Sequence, residues 1–394
     1  MAININVQVA RSVPRINEDG LTLVIFKNAR KLAGVTDTIV SVNTLQDLYT
    51  NFGDSTDIST LAVAKELYVA EYLVRAGVNL LCYSTATVGS IASADITNIE
   101  DVEVLGYKMI LSPYNFLDDD SNQEALLLSF AKDNDVQLFM DLDPDIEASD
   151  AEDVITALGT TVSPKLELFV NSGLPNFTSQ YSNTLPSDFD ASDNFFGIPA
   201  SAVVVARKAS VLKSETPWLP VAGETYGLVN EFTKIYRRLS TKQKNDLQAL
   251  NLNVLFTKTG IGNLLVSQNT LADSTNSANP LIRSHVVTSA LYIKRILRRE
   301  AERLLFAPNN IKTWNQFSLK ATSLFNRLVE LDGIEDFSVQ IGRGITMTAQ
   351  DIADGKLKVV VTFLPVRVIE EITFNIVIQE TEDAYVVEFE GGDL

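Results

Sequence analysis

YKMILSP (residues 107–113), NQEALLLSFAKDND (122–135), VQLFMDLDP (136–144), DAEDVITALGT (150–160) and KLELFVNSG (165–173) alternate short apolar runs with longer segments of helical period. An apolar run of five or six residues bounded by turn formers reads as a strand buried on both faces. The intervening segments are long enough for three turns of helix. Strands alternating with helices imply a parallel or mixed sheet flanked by helices. The pattern continues through a polar excursion to SAVVVARKAS (201–210). Upstream, LTLVIF (21–26) reads as a strand, and the segment from Ser41 onward reads as helix, loop, long helix stopped at Gly77, and the strand VNLLCYS (78–84).

The two ends have a different texture. Ile3, Ile5, Val7 and Val9 alternate with Asn4, Asn6 and Gln8; near the other end Leu357, Val359, Val361 and Phe363 share one face, as do Ile372, Phe374, Ile376 and Ile378. Period-two alternation makes all three segments strands. A terminal strand frays unless it is tied down, and its unpaired edge is a template for another chain. The end strands are therefore expected to pair with something.

At 394 residues the chain is too long for one ordinary core. The expected divisions are an N-terminal arm and linker (1–20), an N-terminal α/β portion (21–97), a central α/β domain (98–213), a C-terminal α+β domain (214–355) and C-terminal strands with an arm (356–394). No run long enough to cross a bilayer and no secretory signal is read, so folding in a cytoplasm is expected. The net charge of −18 argues against nucleic acid or an anionic membrane as a partner. Charge is also uneven: after Arg367 no basic residue occurs, while Glu370, Glu371, Glu380, Glu382, Asp383, Glu388, Glu390 and Asp393 are all acidic.

Catalytic chemistry finds little footing. The only histidine, His285, falls on a helical segment outside the α/β pattern, a poor place for a general base. The only cysteine, Cys82, lies in an apolar strand and reads as a buried structural thiol. No phosphate-cradling GxxxxGK[ST] occurs, and GIGNLLVS around Gly260 and Gly262 reads as a turn. Asp141, Asp143 and Asp145 in DLDPD could ligate a divalent cation, but the glycine and distal glutamate of a calcium loop are missing. Turn formation and helix capping are the expected roles. No catalytic residue, cofactor or metal is assigned.

After Ser214, TPWLPVAGETYG (216–227) reads as a rigid proline-bounded loop around Trp218. A helix of about six turns then sets Val286, Ala290, Ile293, Leu297, Ala301 and Leu304 on one face, with Arg295, Arg299 and Arg303 in a row on another beside Lys294 and Arg298. A second helix lines up Phe317, Ala321, Leu324, Leu328 and Leu331 and stops at Gly333; IEDFSVQI follows as a strand. In so acidic a chain, a basic row is expected to meet an acidic partner or another copy, with Glu380, Glu382 and Asp383 as candidate counterparts.

The order of TPWLPVAGETYG, LNLNVLFTKTGIGNLLVSQNTL, LIRSHVVTSALYIKRILRREAERLLFAPNNIKTWNQF and GKLKVVVTFLPVRVIEEITFNIVI resembles the C-terminal half of contractile tail sheath proteins of bacteriophages and R-type pyocins. LYTNFG followed by LVRAGVNLLCYSTA resembles their N-terminal half. The chain departs from the family pattern at RAGVN, usually richer in glycine, and at LPVA, usually an alanine-proline. The resemblance implies an α/β domain of subtilisin-like topology without catalytic residues, a C-terminal α+β domain and extended β-arms. It implies a non-enzymatic subunit, polymerising helically around an inner tail tube protein and meeting baseplate and tail terminator proteins, in the tail of a virion assembled in the host cytoplasm.

In that family the arms complete sheets in neighbouring subunits, which gives Ile3, Ile5, Val7, Val9, Ile372, Phe374, Ile376 and Ile378 their expected role. Contraction would drive the tube through a cell envelope, with RSVPRINEDG and LPVRV as hinges. The alternatives are the sheath of a phage-derived extracellular contractile injection particle and, from a different class, an α/β enzyme. A type VI secretion sheath fits less well, since those usually divide the sheath between two chains.

Overall fold

A computed structural model describes residues 20–35, 38–100, 105–117, 122–159, 163–192, 194–214, 216–272, 279–368, 374–380 and 383–389. Two compact units emerge from the contacts of the described residues: those within 18–215, 219–287 and 368–394, and those within 216–218 and 288–367.

The larger unit is built on β1 (Thr22–Phe26), β2 (Ile39–Val42), α1 (Leu45–Phe52), α2 (Leu61–Arg75), β3 (Leu80–Ser84), α3 (Ser93–Ile99), β4 (Met109–Leu117), α4 (Asn122–Asp133), β5 (Gln137–Leu142), α5 (Ala148–Leu158) and β6 (Leu166–Val170). It continues through β7 (Ser172–Pro175), β8 (Ile198–Pro199), α6 (Ala200–Lys213), α7 (Gly223–Tyr226), β9 (Phe232–Ile235), α8 (Thr241–Ala249), β10 (Asn253–Lys258) and β11 (Gly262–Leu265). Eight strands form one sheet in the order β11-β10-β6-β5-β4-β1-β3-β2. The inner six are parallel, and the edge strands β2 and β11 run antiparallel to their neighbours.

Parallel strands need cover on both faces, and every residue of β1, β5 and β6 is buried. One face carries Leu23, Ile25, Ile110, Leu138, Met140 and Leu168, packed with Leu127 and Val154 from α4 and α5. SAVVVARKAS belongs to helix α6, in which Ala202, Val203, Val204 and Val205 are all buried. A helix buried on most of its surface is a core helix, and this one packs on β4, β5, β6 and α2. β2, β8 and β9 are further elements that sequence patterning leaves unassigned.

Charges inside this core are fixed by hydrogen bonds. Lys208 of α6 is buried, with Nζ 3.1 Å from Glu167 Oε1 of β6. Ser284 Oγ donates to the same oxygen at 2.6 Å, Gln137 Nε2 donates at 3.1 Å, and Lys208 Nζ donates to Ser284 Oγ. Burial lowers the Lys208 pKa, with the Glu167 carboxylate opposing that shift. Glu66, on α2, accepts backbone N–H bonds from Lys27, Asn28 and Ala29 and so ties α2 to the turn after β1. Glu71, one turn further, takes the Tyr49 hydroxyl at 3.2 Å, the Arg75 guanidinium at 2.7 Å and the Ser179 hydroxyl at 2.5 Å.

Helix α9 (Ser284–Glu302) starts in the larger unit and continues in the smaller one, which adds α10 (Ile311–Glu330), β12 (Ile334–Ile341), α11 (Ala349–Ala353) and β13 (Val359–Pro365). α9 corrects the predicted apolar face. Val286, Leu291, Tyr292, Ile293 and Ile296 are buried, whereas Ala290, Leu297, Ala301 and Leu304 are only half-buried. Residues 284–289 are enclosed on all sides, so their periodicity carries no single face, and downstream the buried seam runs through Ile296 to Glu300. On α10 the prediction holds for Phe317, Ala321, Leu324 and Leu328; Leu331 is 46% exposed because the helix has ended.

Asn310 caps α10 by accepting from Thr313 N at 3.2 Å. Gly333, just past the helix, lies against the Trp218 indole so closely that a Cβ would come within 2.8 Å of the ring. That contact gives the TPWLP loop its packing role. Two further strands, β14 (Phe374–Glu380) and β15 (Asp383–Phe389), form a hairpin by themselves.

Removing one member of a buried ion pair leaves the other charge without its partner and costs about 3–5 kcal/mol. Lys208→Ala is therefore expected to lower unfolding stability by that order in a urea titration; a change below about 1 kcal/mol would contradict the role given to this pair.

Candidate assembly surface

The carboxyl end of the parallel strands is where an α/β fold places chemistry. Here that position is used for structure. Asp141, at the end of β5, is buried and accepts the Ser201 backbone N–H at 3.1 Å and the Ser201 hydroxyl, holding the first turn of α6. Asp143 accepts from the Asp145 N–H at 2.8 Å, an Asx-turn, and Asp145 accepts the Tyr236 hydroxyl at 2.7 Å. The turn-and-cap reading of DLDPD is thus what the geometry displays; among the described residues no cluster of metal-ligating side chains is found.

His285 is buried with Nδ1 2.9 Å from Gln268 Nε2 and belongs to the larger unit, inside rather than outside the α/β body. Cys82 is buried, and burial pushes its thiol pKa up, away from the nucleophilic form.

The smaller unit presents the other kind of surface. β12 and β13 pair antiparallel from Ile334↔Pro365 to Ile341↔Val359 and make a sheet of two strands only. Its inner face rests on α10: the Phe325 and Phe337 rings stack at 5.0 Å, and Phe363 lies 6.3 Å from Phe325. Alternation is as predicted: Leu357, Val359, Val361 and Phe363 are half-buried, while Lys358, Val360, Thr362 and Leu364 are exposed. Both outer edges are without a partner strand among the described residues. Isolated two-strand sheets are marginal in water, and an open edge is a place where another strand can add.

The basic row on α9 is less bare than its sequence suggests. Arg298 Nε lies 3.2 Å from Glu302, Arg303 pairs with Glu300, and Lys320 of α10 reaches Glu300 at 2.7 Å. Glu300 is itself buried, so it anchors cations from two helices. The i,i+3 and i,i+4 spacing of these glutamates is the signal that could have revealed this. Lys294 and Arg299 are exposed and Arg295 is half-buried. Past α9, Phe306 takes a left-handed φ of 65° and is fully exposed beside the exposed Leu305.

Of the proposed arm residues, Ile3, Ile5, Val7, Val9 and Ile372 lie outside the described residues, as does Glu382. Phe374, Ile376 and Ile378 are in β14, in register with Phe389, Val387 and Tyr385 of β15; Glu380 is opposite Asp383. β15 is a strand that the acidic composition of the tail hides.

Residues 279–379 match the phage tail sheath C-terminal domain family. In overall fold the chain is similar to the helical sheath of the anti-feeding prophage in its contracted state, at 18% identity and a TM-score of 0.68 over 97% of this chain and 98% of that one. It is similar to the PVC sheath of an extracellular contractile injection system, also contracted, at 18% identity and 0.66 over 97% of both chains. A sheath tail protein from Desulfitobacterium hafniense matches at 10% identity and 0.54, over 93% of this chain and all of its own. Among curated proteins no sequence matches significantly.

Burial pushes the Asp141 carboxyl up to about 7, against its Ser201 hydrogen bonds. The folded chain then binds a proton that the unfolded chain has released, so stability drops as pH rises from the ordinary carboxylate range through about 7. Asp141→Asn, which keeps an acceptor for the Ser201 N–H, is expected to gain on the wild type by about 2–3 kcal/mol between pH 5 and pH 8. Urea midpoints at the two pH values check this, and a constant difference would refute it.

Proposed function

We propose that the chain is the structural subunit of a contractile sheath, polymerising helically around an inner tube and held together by strands exchanged between copies. The observation that carries this reading is the β12–β13 sheet with two open edges, inside the segment assigned to the sheath C-terminal family. The family is not one of enzymes, and Asp141 and Asp143, at the carboxyl end of β5, are committed to holding the first turn of α6 and to an Asx-turn. The description of the α/β unit as subtilisin-like in topology rests on the family resemblance.

The physics of strand exchange suits a device that must move without coming apart. Each added main-chain hydrogen bond nets about 0.5–1.5 kcal/mol. Each apolar side chain that becomes buried contributes about 1.5–3 kcal/mol, and the N-terminal strand offers Ile3, Ile5, Val7 and Val9. A head-to-tail contact repeated by a screw operation builds an open tube. Two packings of one subunit, extended and contracted, store their free-energy difference in the contacts between rigid domains, with hinges near residues 11–20 and 364–368.

A second reading places the same subunit in a phage-derived extracellular injection particle. It is supported by higher structural similarity to the anti-feeding prophage and PVC sheaths, at 0.68 and 0.66, than to the Desulfitobacterium protein at 0.54. Both readings share tube, baseplate and terminator as partners.

Electron microscopy of the purified full chain with its tube protein is expected to find sheathed tubes, and deletion of residues 1–10 to abolish them while the monomer stays folded. Monodisperse particles from the full chain in the presence of tube would overturn the sheath reading.

A further inference from the structure

We propose that the crevice between the carboxyl ends of β1 and β4 is a binding site for a small oxyanion, a phosphate or carboxylate group, held by Arg30, Lys27 and the side-chain amide of Asn115. The site lies in the larger unit and is independent of how the chain assembles.

Topology selects the place. β2 and β3 lie on one side of β1 in the sheet, and β4, β5 and β6 lie on the other. The strand order therefore reverses between β1 and β4, and in open α/β sheets the crevice at that reversal is where ligands bind. The structural use of Asp141 and Asp143 belongs to the next strand, β5.

The main chain departs from regularity at the same point. Leu111 pairs with Phe139 and Phe116 with Asp141, so Ser112 to Asn115 on β4 face Met140 alone on β5. Tyr114, inside this bulge, has a left-handed φ of 54°, an outlier for a bulky side chain. Bulges re-aim side chains. The Tyr114 hydroxyl donates to Gly197 O, and Lys65 Nζ lies 5.2 Å from its ring. Asn115, the next residue, reaches Lys27 instead, its Oδ1 accepting from Lys27 Nζ.

What the bulge presents is an unanswered donor. Asn115 is 3% exposed, and its Nδ2 is buried with no hydrogen-bond partner. Buried donors are nearly always paired, so one left over marks a position for an acceptor. Two cations adjoin it. Lys27 is half-buried, and the half-buried Arg30 rests its guanidinium on Lys27 O at 3.2 Å and Ala29 O at 3.4 Å, with no carboxylate partner among the described residues. The buried carboxylates at this end of the sheet are committed elsewhere. Glu66 takes the N–H groups of Lys27, Asn28 and Ala29, and Asp95 takes the Tyr83 hydroxyl at 2.6 Å and the N–H groups of Ala86 and Ala92 at 2.8 and 2.7 Å.

This donor set fits an oxyanion. A guanidinium offers paired N–H groups to two oxygens, an ammonium adds charge, and an amide N–H reaches a further oxygen. The main-chain N–H groups after β1, which would otherwise serve an anion, are filled by Glu66, so side chains must do the binding. The rival ligand is a divalent cation, since Asp118, Asp119 and Asp120 follow β4 in sequence, outside the described residues.

Thermal unfolding of the full chain in inorganic phosphate, in malonate and in chloride of equal ionic strength tests the site, with magnesium chloride as a separate arm. Phosphate or malonate is expected to raise the wild-type midpoint by about 2 °C or more over chloride. A gain from phosphate alone assigns a phosphate group, and a gain from malonate assigns a carboxylate. Arg30→Gln is expected to abolish the gain. Asn115→Asp, which supplies a carboxylate oxygen from within, is expected to unfold no lower than the wild type in chloride and to gain nothing from either anion. Phosphate also stabilises proteins without binding them, so an equal gain in the wild type and both variants would overturn the site. A response to magnesium alone, or to neither anion, would overturn it as well. A second measurement needs only the wild type: modification of Arg30 by phenylglyoxal, mapped by peptide mass, is expected to slow about threefold or more in the effective anion while the exposed Arg299 reacts as before. Unchanged Arg30 reactivity would refute the assignment even where a variant fails to fold.

Discussion

A strand carries hydrogen-bonding groups along both sides, and a sheet of two strands can satisfy only the inner pair. That constraint governs the smaller unit. β12 and β13 spend their apolar face on α10, through the Phe325, Phe337 and Phe363 rings, and leave a row of main-chain donors and acceptors along each side. Among the described residues no strand answers those rows. In an assembly they are ready-made bonds whose formation needs no refolding of the acceptor, since the acceptor strand is already extended and held.

The larger unit has the opposite character. All its parallel strands are flanked on both sides, and the antiparallel strands β2 and β11 form the two edges of the sheet. Where a related α/β architecture would hold a reactive carboxylate, Asp141 grips the start of α6; Glu66, Glu71 and Glu167 likewise hold turns and helices together from buried positions. Buried ionic groups cost desolvation and gain little net stability. What they supply here is a fixed relation between α2, α6, β6 and the first residue of α9, so the unit behaves as a rigid body. A rigid body joined in sequence to a unit with a two-stranded sheet suits a polymer whose subunits must turn without deforming.

The α/β class was legible because β1, β5 and β6 are short, continuous and apolar, and because helices of adequate length separate them. SAVVVARKAS gave no type from its pattern: a helix buried all round loses the polar face that betrays helical period. Helix α9 misled for the same reason in its first half. In its second half Glu300 takes a core position only because Arg303 and Lys320 converge on it, a fact that no local window contains. β15 was masked by its acids, since the pairing that makes it a strand lies in β14.

By itself the sequence determined the strand character of β1, β5 and β6, the apolar face of α10, the alternation of the end strands, the poverty of catalytic groups and the placement of charge along the chain. These are local properties, set by side-chain spacing and chemistry. Only the tertiary structure decided the strand order of the large sheet, the burial of Lys208 against Glu167, and the convergence of Arg303 and Lys320 on Glu300. Each of those depends on which distant segments become neighbours, and that is fixed by the joint satisfaction of hydrogen bonds and apolar surface across the whole fold rather than by any one stretch of it.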